Sequence, residues 1–257
     1  MLLQNNDRFK GMPMRIAVIS DIHGNLEAFR QVLTDIDQSK IDRIVSLGDS
    51  IGYGPEPEEV LNLVQSRNID NILGNHERSI LDETYRQYFM RGAVDSTKQT
   101  MKFLTASSLL YLRSLPKTKT IDDALFVHGC PPESHTIYLN HLTISEIADT
   151  FQSYTNRIAF SGHTHKFMLF SYNGKKVDFR PPKNEPKILD HNLRYIFNVG
   201  SVGQPRDNDS RAGYVIWDTD VNTLEIRRIP YNIRATTEKI IKRGFRKNDA
   251  DRLFAGK

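Results

Sequence analysis

The chain has 257 residues, 39% of them hydrophobic and 26% charged. That is enough apolar material to bury a substantial core and excludes the fibrous and disordered classes. No apolar run approaches the roughly 20 residues of a bilayer span, and a single cysteine, Cys130, excludes an internal disulfide and suits a reducing, cytoplasmic setting. The net charge of +4 is unevenly placed: residues 227–257 hold ten Lys or Arg against three Asp or Glu, while residues 1–226 hold 25 against 28.

Residues 1–14 lack the basic start, sustained apolar middle and small-residue cleavage site of a secretory signal, and are expected to form a flexible arm. Arg15 to Ser20 is a short apolar run rich in β-branched residues and predicts a buried parallel strand. It is closed by Asp21-Ile22-His23-Gly24-Asn25. Leu26, Phe29, Val32, Leu33 and Ile36 then recur at helical spacing behind Asn25 as a cap. The pattern repeats with a strand at Ile44–Leu47, Gly48-Asp49 after it, and a helix from Pro57 to Arg67.

A third, shorter strand, Asn71–Leu73, feeds Gly74-Asn75-His76-Glu77 and a helical stretch to about Met90. Val94 to Leu115 reads as one helix or two, ended by Pro116. The strand Ala124–Val127 closes on His128-Gly129. A helix follows at Ile144–Tyr154, and the strand Arg157–Ser161 closes on Gly162-His163-Thr164-His165. Strands then follow one another: 167–172, a turn at Asn173-Gly174, 175–180, 193–198, 213–217 and 224–229. From Tyr231, and chiefly over residues 234–257, the chain reads as a basic, partly helical tail, first a solvated helix face and second a phosphate-seeking arm that would give nucleic acid as a partner. Strand-helix alternation followed by strands fits one α/β domain of two packed sheets over residues 15–233.

Five of the eight histidines stand directly after a strand, in company with Asp21, Asp49 and Asn75. Ligands of open α/β sheets bind at the carboxyl ends of the strands, so these five sites should converge. His135, His141 and His191 have no such context. The imidazoles, two carboxylates and one amide are too many ligands for one ion and about right for two. Nitrogen and oxygen donors without thiolate suit manganese first, with iron, zinc or nickel as alternatives. Two such ions clamp the attacking and leaving oxygens of a displacement at phosphorus, which points to phosphate-ester hydrolysis.

Asp21-x-His23, Gly48-Asp49, Gly74-Asn75-His76-Glu77, His128-Gly129 and Gly162-His163-x-His165 resemble, in order, the five motifs of the calcineurin-like metallophosphoesterases. Gly52-Tyr53-Gly54-Pro55 and the run from Asn198 to Asp207 resemble segments of that superfamily's small bacterial and archaeal branch, phosphodiesterases in type. The resemblance implies a four-layer α-β-β-α sandwich of two mixed sheets. It implies one ion on Asp21, His23 and His165, a second on Asn75, His128 and His163, and Asp49 bridging them, with a water or hydroxide between the ions as nucleophile. His76 would donate a proton to the leaving group, and Glu77 would serve only as a first-turn helix carboxylate.

Relatives that act on phosphoproteins or symmetrical dinucleoside tetraphosphates carry an arginine after the bridging aspartate. Here the run is Asp49-Ser50-Ile51-Gly52-Tyr53-Gly54. Arg206, and less so Arg211, are the candidates for the missing phosphate clamp. Cys130, where many relatives have serine, is expected near the metals. The expected substrate is a small, nucleotide-type phosphodiester or phosphomonoester. A dinucleoside polyphosphate hydrolase or a protein phosphatase is the alternative, and a scaffold that kept the fold without turnover is a third reading. No membrane partner is expected.

Overall fold

The computed structural model describes residues 13–183 and 185–257. In chain order these form β1 (Arg15–Ile19), α1 (Leu26–Gln38), β2 (Arg43–Ser46), α2 (Pro57–Ser66), β3 (Asp70–Asn71), α3 (Asn75–Leu81), α4 (Glu83–Arg86), α5 (Arg91–Met101) and α6 (Ala106–Ser114). There follow β4 (Thr118–Ile121), β5 (Ala124–Val127), α7 (Ile144–Gln152), β6 (Ile158–Ser161), β7 (Phe167–Tyr172) and β8 (Val177–Arg180). The chain then runs through β9 (Lys187–Ile188), β10 (Arg194–Val199), β11 (Ala212–Asp218), β12 (Thr223–Ile229), α8 (Ile233–Lys242) and α9 (Lys247–Ala255).

The strands make two mixed six-stranded sheets, ordered β3-β2-β1-β11-β12-β9 and β4-β5-β6-β10-β7-β8. β1, β2 and β3 are mutually parallel in the first; β5, β6 and β10 are parallel in the second. Alternation along β1 sets the layers, since successive side chains of a strand point to opposite faces. Ile16 and Val18 face the other sheet and join a core that includes Val45, Leu47, Phe126, Phe160, Phe197 and Trp217. Ala17 and Ile19 face outward, where Leu26, Phe29, Val32 and Ile36 of α1 cover them. On the far side Leu125, Ala159 and Ile196 pack on Ile147 and Phe151 of α7. The result is the expected α-β-β-α sandwich.

Differences from the sequence reading have local causes. Residues 94–115 are divided between α5 and α6, because the Thr105 hydroxyl accepts from Ser108 N and opens a new helix. β4 and β9, which the hydrophobic pattern did not reveal, are short polar edge strands. Residues 1–12 of the expected arm lie outside the described residues. Met14 belongs to the fold: it is buried and exchanges two hydrogen bonds with Thr219.

The segment read as a tail over 234–257 is two helices seated on the body. Ile240, Phe245, Ala250 and Leu253 bury themselves with Phe103. Lys239 binds Glu56 at 2.8 Å and also Glu27, and Arg243 pairs with Glu59 at 2.7 Å. Two cations of the segment, Lys239 and Arg243, therefore answer acids of α1, of α2 and of the residue that caps α2, which removes them from any free phosphate-seeking face. No helix among the described residues is long and apolar enough to cross a membrane.

Candidate metal centre

The loops that follow β1, β2, β5, β6 and β10 meet at one edge of the sandwich, and their backbones are strained there. Asp21, His23, Asp49, Tyr53, His163 and His165 all adopt positive φ, between 49° and 66°. Non-glycine residues occupy that region at a cost, and such residues cluster where side chains must be aimed. Gly48, at φ 90°, lets the second loop pass the third: a Cβ there would stand 2.5 Å from Gly74 N.

The aimed side chains form one buried cluster. His165 Nε2 lies 3.1 Å from Asp21 Oδ1 and 3.1 Å from His23 Nε2. Asp49 Oδ2 lies 3.3 Å from His128 Nε2 and 3.8 Å from His23 Nε2, so this single oxygen faces both halves of the cluster. His128 Nε2 is 2.9 Å from Asn75 Oδ1 and 3.2 Å from His163 Nδ1. All seven residues assigned to metal by the sequence are therefore brought together. Asp21 Oδ1 is fully buried without a hydrogen-bond partner, although Oδ2 accepts from Ser20 Oγ and His163 N. An orphaned carboxylate oxygen of this kind asks for a cation.

Tautomers reinforce the point. A backbone carbonyl can only accept, so the ring nitrogen facing it carries the proton. His23 Nδ1 donates to Ile51 O at 3.0 Å, His128 Nδ1 to Leu47 O at 2.8 Å, His165 Nδ1 to Gln204 O at 2.6 Å and His163 Nε2 to Thr136 O at 3.2 Å. Each inner nitrogen is thus turned toward another inner nitrogen. Lone pairs at such distances require a proton or a metal ion between them, and carbonyls behind imidazoles are the usual outer support of metal ligands.

Charge follows the same logic. Burial disfavours the carboxylate of Asp21, but His165 and the other histidines hold it well below the usual range. Asp49 is likewise held far down by His128 and His76 against its burial. Burial pushes His163 and His165 down to about 3, leaving both neutral and ready to ligate. His128 is also buried, yet the Asp49 charge lifts it to about 9. The proton it then carries would have to leave before His128 could ligate a cation.

His76 stands apart from the other four. Its Nε2 is 4.0 Å from Asp49 Oδ2, and its Nδ1 is buried with no carbonyl behind it. The ring is packed by Tyr53, His23 and Phe89, at centroid distances of 4.6, 4.9 and 5.6 Å, and lies so close to Gly52 that a Cβ there would stand 2.3 Å from Nδ1. Burial pushes the imidazole down to about 3.

Glu77 does more than start a helix. Its buried carboxylate accepts from Asp49 N at 2.9 Å, Ser50 N at 2.7 Å and Gly74 N at 3.0 Å, tying two strand-end loops to α3. Burial and the Asp49 charge nevertheless push it up to about 8. Glu77→Ala would strip three buried donors of their acceptor, each worth about 1–3 kcal/mol. We expect a thermal midpoint lower by at least roughly 6 °C in a melting experiment; a change under about 2 °C would remove this role.

Arg206 reaches the rim of the cluster, where Nη2 donates to Gln204 Oε1 at 2.7 Å. Arg211 does not, because Asp209 holds its guanidinium at 2.6 Å on the surface. The expectation for Cys130 fails. Its sulfur is turned away from the cluster toward Pro131 O and Thr150 Oγ1, among the apolar residues beneath α7. Tyr138, whose ring stacks on His163 at 3.8 Å, and Arg252 of α9, which also reaches Gln204 Oε1, were not indicated by any motif.

Residues 14–222 match the calcineurin-like phosphoesterase superfamily domain. The chain belongs to the calcineurin-like phosphoesterase superfamily. Over 250 residues it is 36% identical to an uncharacterized protein of Methanocaldococcus jannaschii, covering 94% of this chain and 98% of that protein. A metallophosphoesterase from Sphaerobacter thermophilus is 33% identical, with a TM-score of 0.81 over 95% of this chain and all of the other. A Pyrococcus horikoshii protein of 18% identity shares the fold, with a TM-score of 0.76 over 95% of this chain and 98% of its own. The family is one of phosphoesterases that use divalent metals, and the buried Asp and His groups of this member suit that chemistry.

Proposed function

We propose that this protein hydrolyses phosphodiester or phosphomonoester bonds in small, nucleotide-type substrates with the help of two divalent cations. The observation that carries the reading is the set of facing imidazole nitrogens, each fixed by a carbonyl behind it, around the unpartnered Asp21 Oδ1 and the shared Asp49 Oδ2. Asp21, His23 and His165 would hold one ion, Asn75, His128 and His163 the other, and Asp49 both. The donor set fits: nitrogen and oxygen only, as manganese, iron, zinc or nickel accept.

Cations so held neutralise charge on the phosphoryl group and lower the pKa of water, so that attack at phosphorus proceeds near neutral pH. The oxygen of one water bonds to phosphorus, the bond from phosphorus to the leaving oxygen breaks, and a proton ends on that leaving oxygen. We assign its delivery to His76, whose Nε2 lies 4.0 Å from Asp49 Oδ2. Neutral at rest, the imidazole would gain basicity beside an arriving phosphate, take up the proton that the attacking water loses, and pass it to the leaving oxygen. The second reading is a non-catalytic scaffold; it would lead one to expect broken ligand positions, whereas all seven assigned positions keep side chains able to ligate.

The test is titration of chelator-stripped protein with Mn²⁺, followed by hydrolysis of bis(p-nitrophenyl) phosphate and p-nitrophenyl phosphate. Two ions and metal-dependent turnover are expected; turnover that ignores chelation would end the proposal. Because His128 carries a proton up to about pH 9 without metal, uptake at neutral pH should release about one proton through this residue. The affinity of its ion should rise up to tenfold per pH unit toward pH 9. Calorimetry in buffers of different ionisation enthalpy reads this directly, and uptake without proton release would contradict the His128 assignment.

A further inference from the structure

The two guanidinium groups at the rim of the metal centre come from segments 46 residues apart, and both bind one neutral acceptor. Arg206 Nη2 and Arg252 Nη1 lie 2.7 and 3.1 Å from Gln204 Oε1. The same residue's backbone oxygen takes the proton of His165 Nδ1, so the pair stands one residue from a proposed ligand. The C-terminus of α9 is fastened against this loop through Asn208 N to Gly256 O at 2.9 Å.

Like charges held together are normally separated by a carboxylate. Arg211, Arg227, Arg228 and Arg243 all have such a partner. Among the described residues neither Arg206 nor Arg252 pairs with an Asp or Glu side chain within 4 Å; Arg252 Nε donates to Lys257 O at 2.6 Å, which leaves its two Nη groups toward Gln204. Asp249, one turn before Arg252, feels the charge of both arginines yet forms a salt bridge with neither. Its buried Oδ2 lacks a hydrogen bond, and burial pushes its carboxyl up. Arg206 Nε is also buried and unpartnered. Tyr53 closes the space between the pair and the metal centre, its ring 5.9 Å from the Arg206 Cζ and 4.9 Å from the His23 ring. Two half-buried planar donors with no side-chain carboxylate against them, one of them with an unpartnered Nε, make a site for phosphate oxygens.

We infer that Arg206 and Arg252 form a second anion subsite that takes the phosphate next to the scissile one, so that the preferred substrates are polyphosphate esters of the nucleoside di- and triphosphate type. Which phosphate is cleaved rests on the phosphoesterase reading above; anion binding by the pair does not. Arg252 is thereby a specificity-determining residue carried by the C-terminal helix.

Two measurements test the inference on the full chain. In chelator-stripped protein, inorganic tripolyphosphate should bind at least tenfold tighter than orthophosphate. Arg252→Gln and Arg206→Gln should each erase most of that difference, and Arg252→Lys, which keeps charge but not the fork, should retain part of it. In the Mn²⁺-loaded protein, the ratio of kcat/KM for ATP over bis(p-nitrophenyl) phosphate should fall at least tenfold in either glutamine variant. Using variants from two separate segments distinguishes a lost subsite from a loosened α9, which would affect Arg252→Gln alone. Tripolyphosphate binding no better than orthophosphate in the wild type, or an unchanged ratio in both variants, overturns the inference. Binding that behaves as expected while no ester is turned over would instead sink the phosphoesterase reading and leave the subsite standing.

Discussion

Asp49→Asn is expected to keep the fold and lose affinity for divalent metal. The substitution preserves an oxygen to accept from His76 N, as Oδ1 does at 2.8 Å, and leaves the Asp49 N to Glu77 bond untouched. What disappears is the negative charge whose Oδ2 faces His128, His23 and His76. Removing one partner of a buried charge pair costs about 2–5 kcal/mol, or roughly thirty- to several-thousand-fold in affinity. If two ions bind as proposed, both should weaken, because Asp49 Oδ2 faces both halves of the cluster. Turnover at fixed Mn²⁺ should collapse accordingly. Metal content by mass spectrometry and affinity by calorimetry read the effect, with a melting curve as the check on folding. Two ions retained at wild-type affinity would show that Asp49 does not bridge them.

His76→Ala should have the opposite signature, with metal retained and chemistry lost. The four other clustered imidazoles have a backbone carbonyl behind the outer nitrogen; His76 has none, and its ring is held instead by aromatic neighbours and by Gly52. Under the proposed function it addresses the substrate; its distance to Asp49 would also let it complete a ligand set with His23. If it delivers the proton to the leaving oxygen, kcat for bis(p-nitrophenyl) phosphate should fall by about 10²–10⁴. Esters whose leaving groups need no proton should suffer least, so an unactivated alkyl ester should lose more than the nitrophenyl one. A His76→Ala protein that has lost an ion would make His76 a ligand, and undiminished kcat would remove it from the reaction.

Legibility in the sequence followed the range of the interactions. Each strand with its punctuation is a local signal: the apolar run Arg15–Ile19 and the residues Asp21 and His23 behind it are neighbours in the chain, and β1 forms where the run lies. The same holds for β5 with His128 and β6 with His163 and His165. Glu77 shows where local reading stops. Its place three residues after Gly74 does mark a helix start, but its bonds to Asp49 N and Ser50 N span 28 and 27 residues, and no spacing rule reaches that far. Cys130 errs the other way. Two residues from His128 suggested the metal centre, yet the loop turns the sulfur toward Thr150 of α7.

The C-terminal segment makes the same division on a larger scale. A cluster of ten basic residues in 31 is visible as composition, and composition alone assigns them to solvent. Only the packing of α8 and α9 shows that Lys239 and Arg243 answer acids of the body and that Arg252 reaches Gln204. The sequence by itself determined the layers of the sandwich and which Asp, Asn and His side chains gather in the buried cluster, because strand periodicity and strand-end residues are short-range features repeated five times in order. The tertiary structure alone decided which oxygen faces both halves of the cluster, which histidine lacks a supporting carbonyl and which arginines meet at the rim. Those facts depend on loops brought together from opposite ends of the chain, where contact is set by the sheet order and leaves no trace in local sequence.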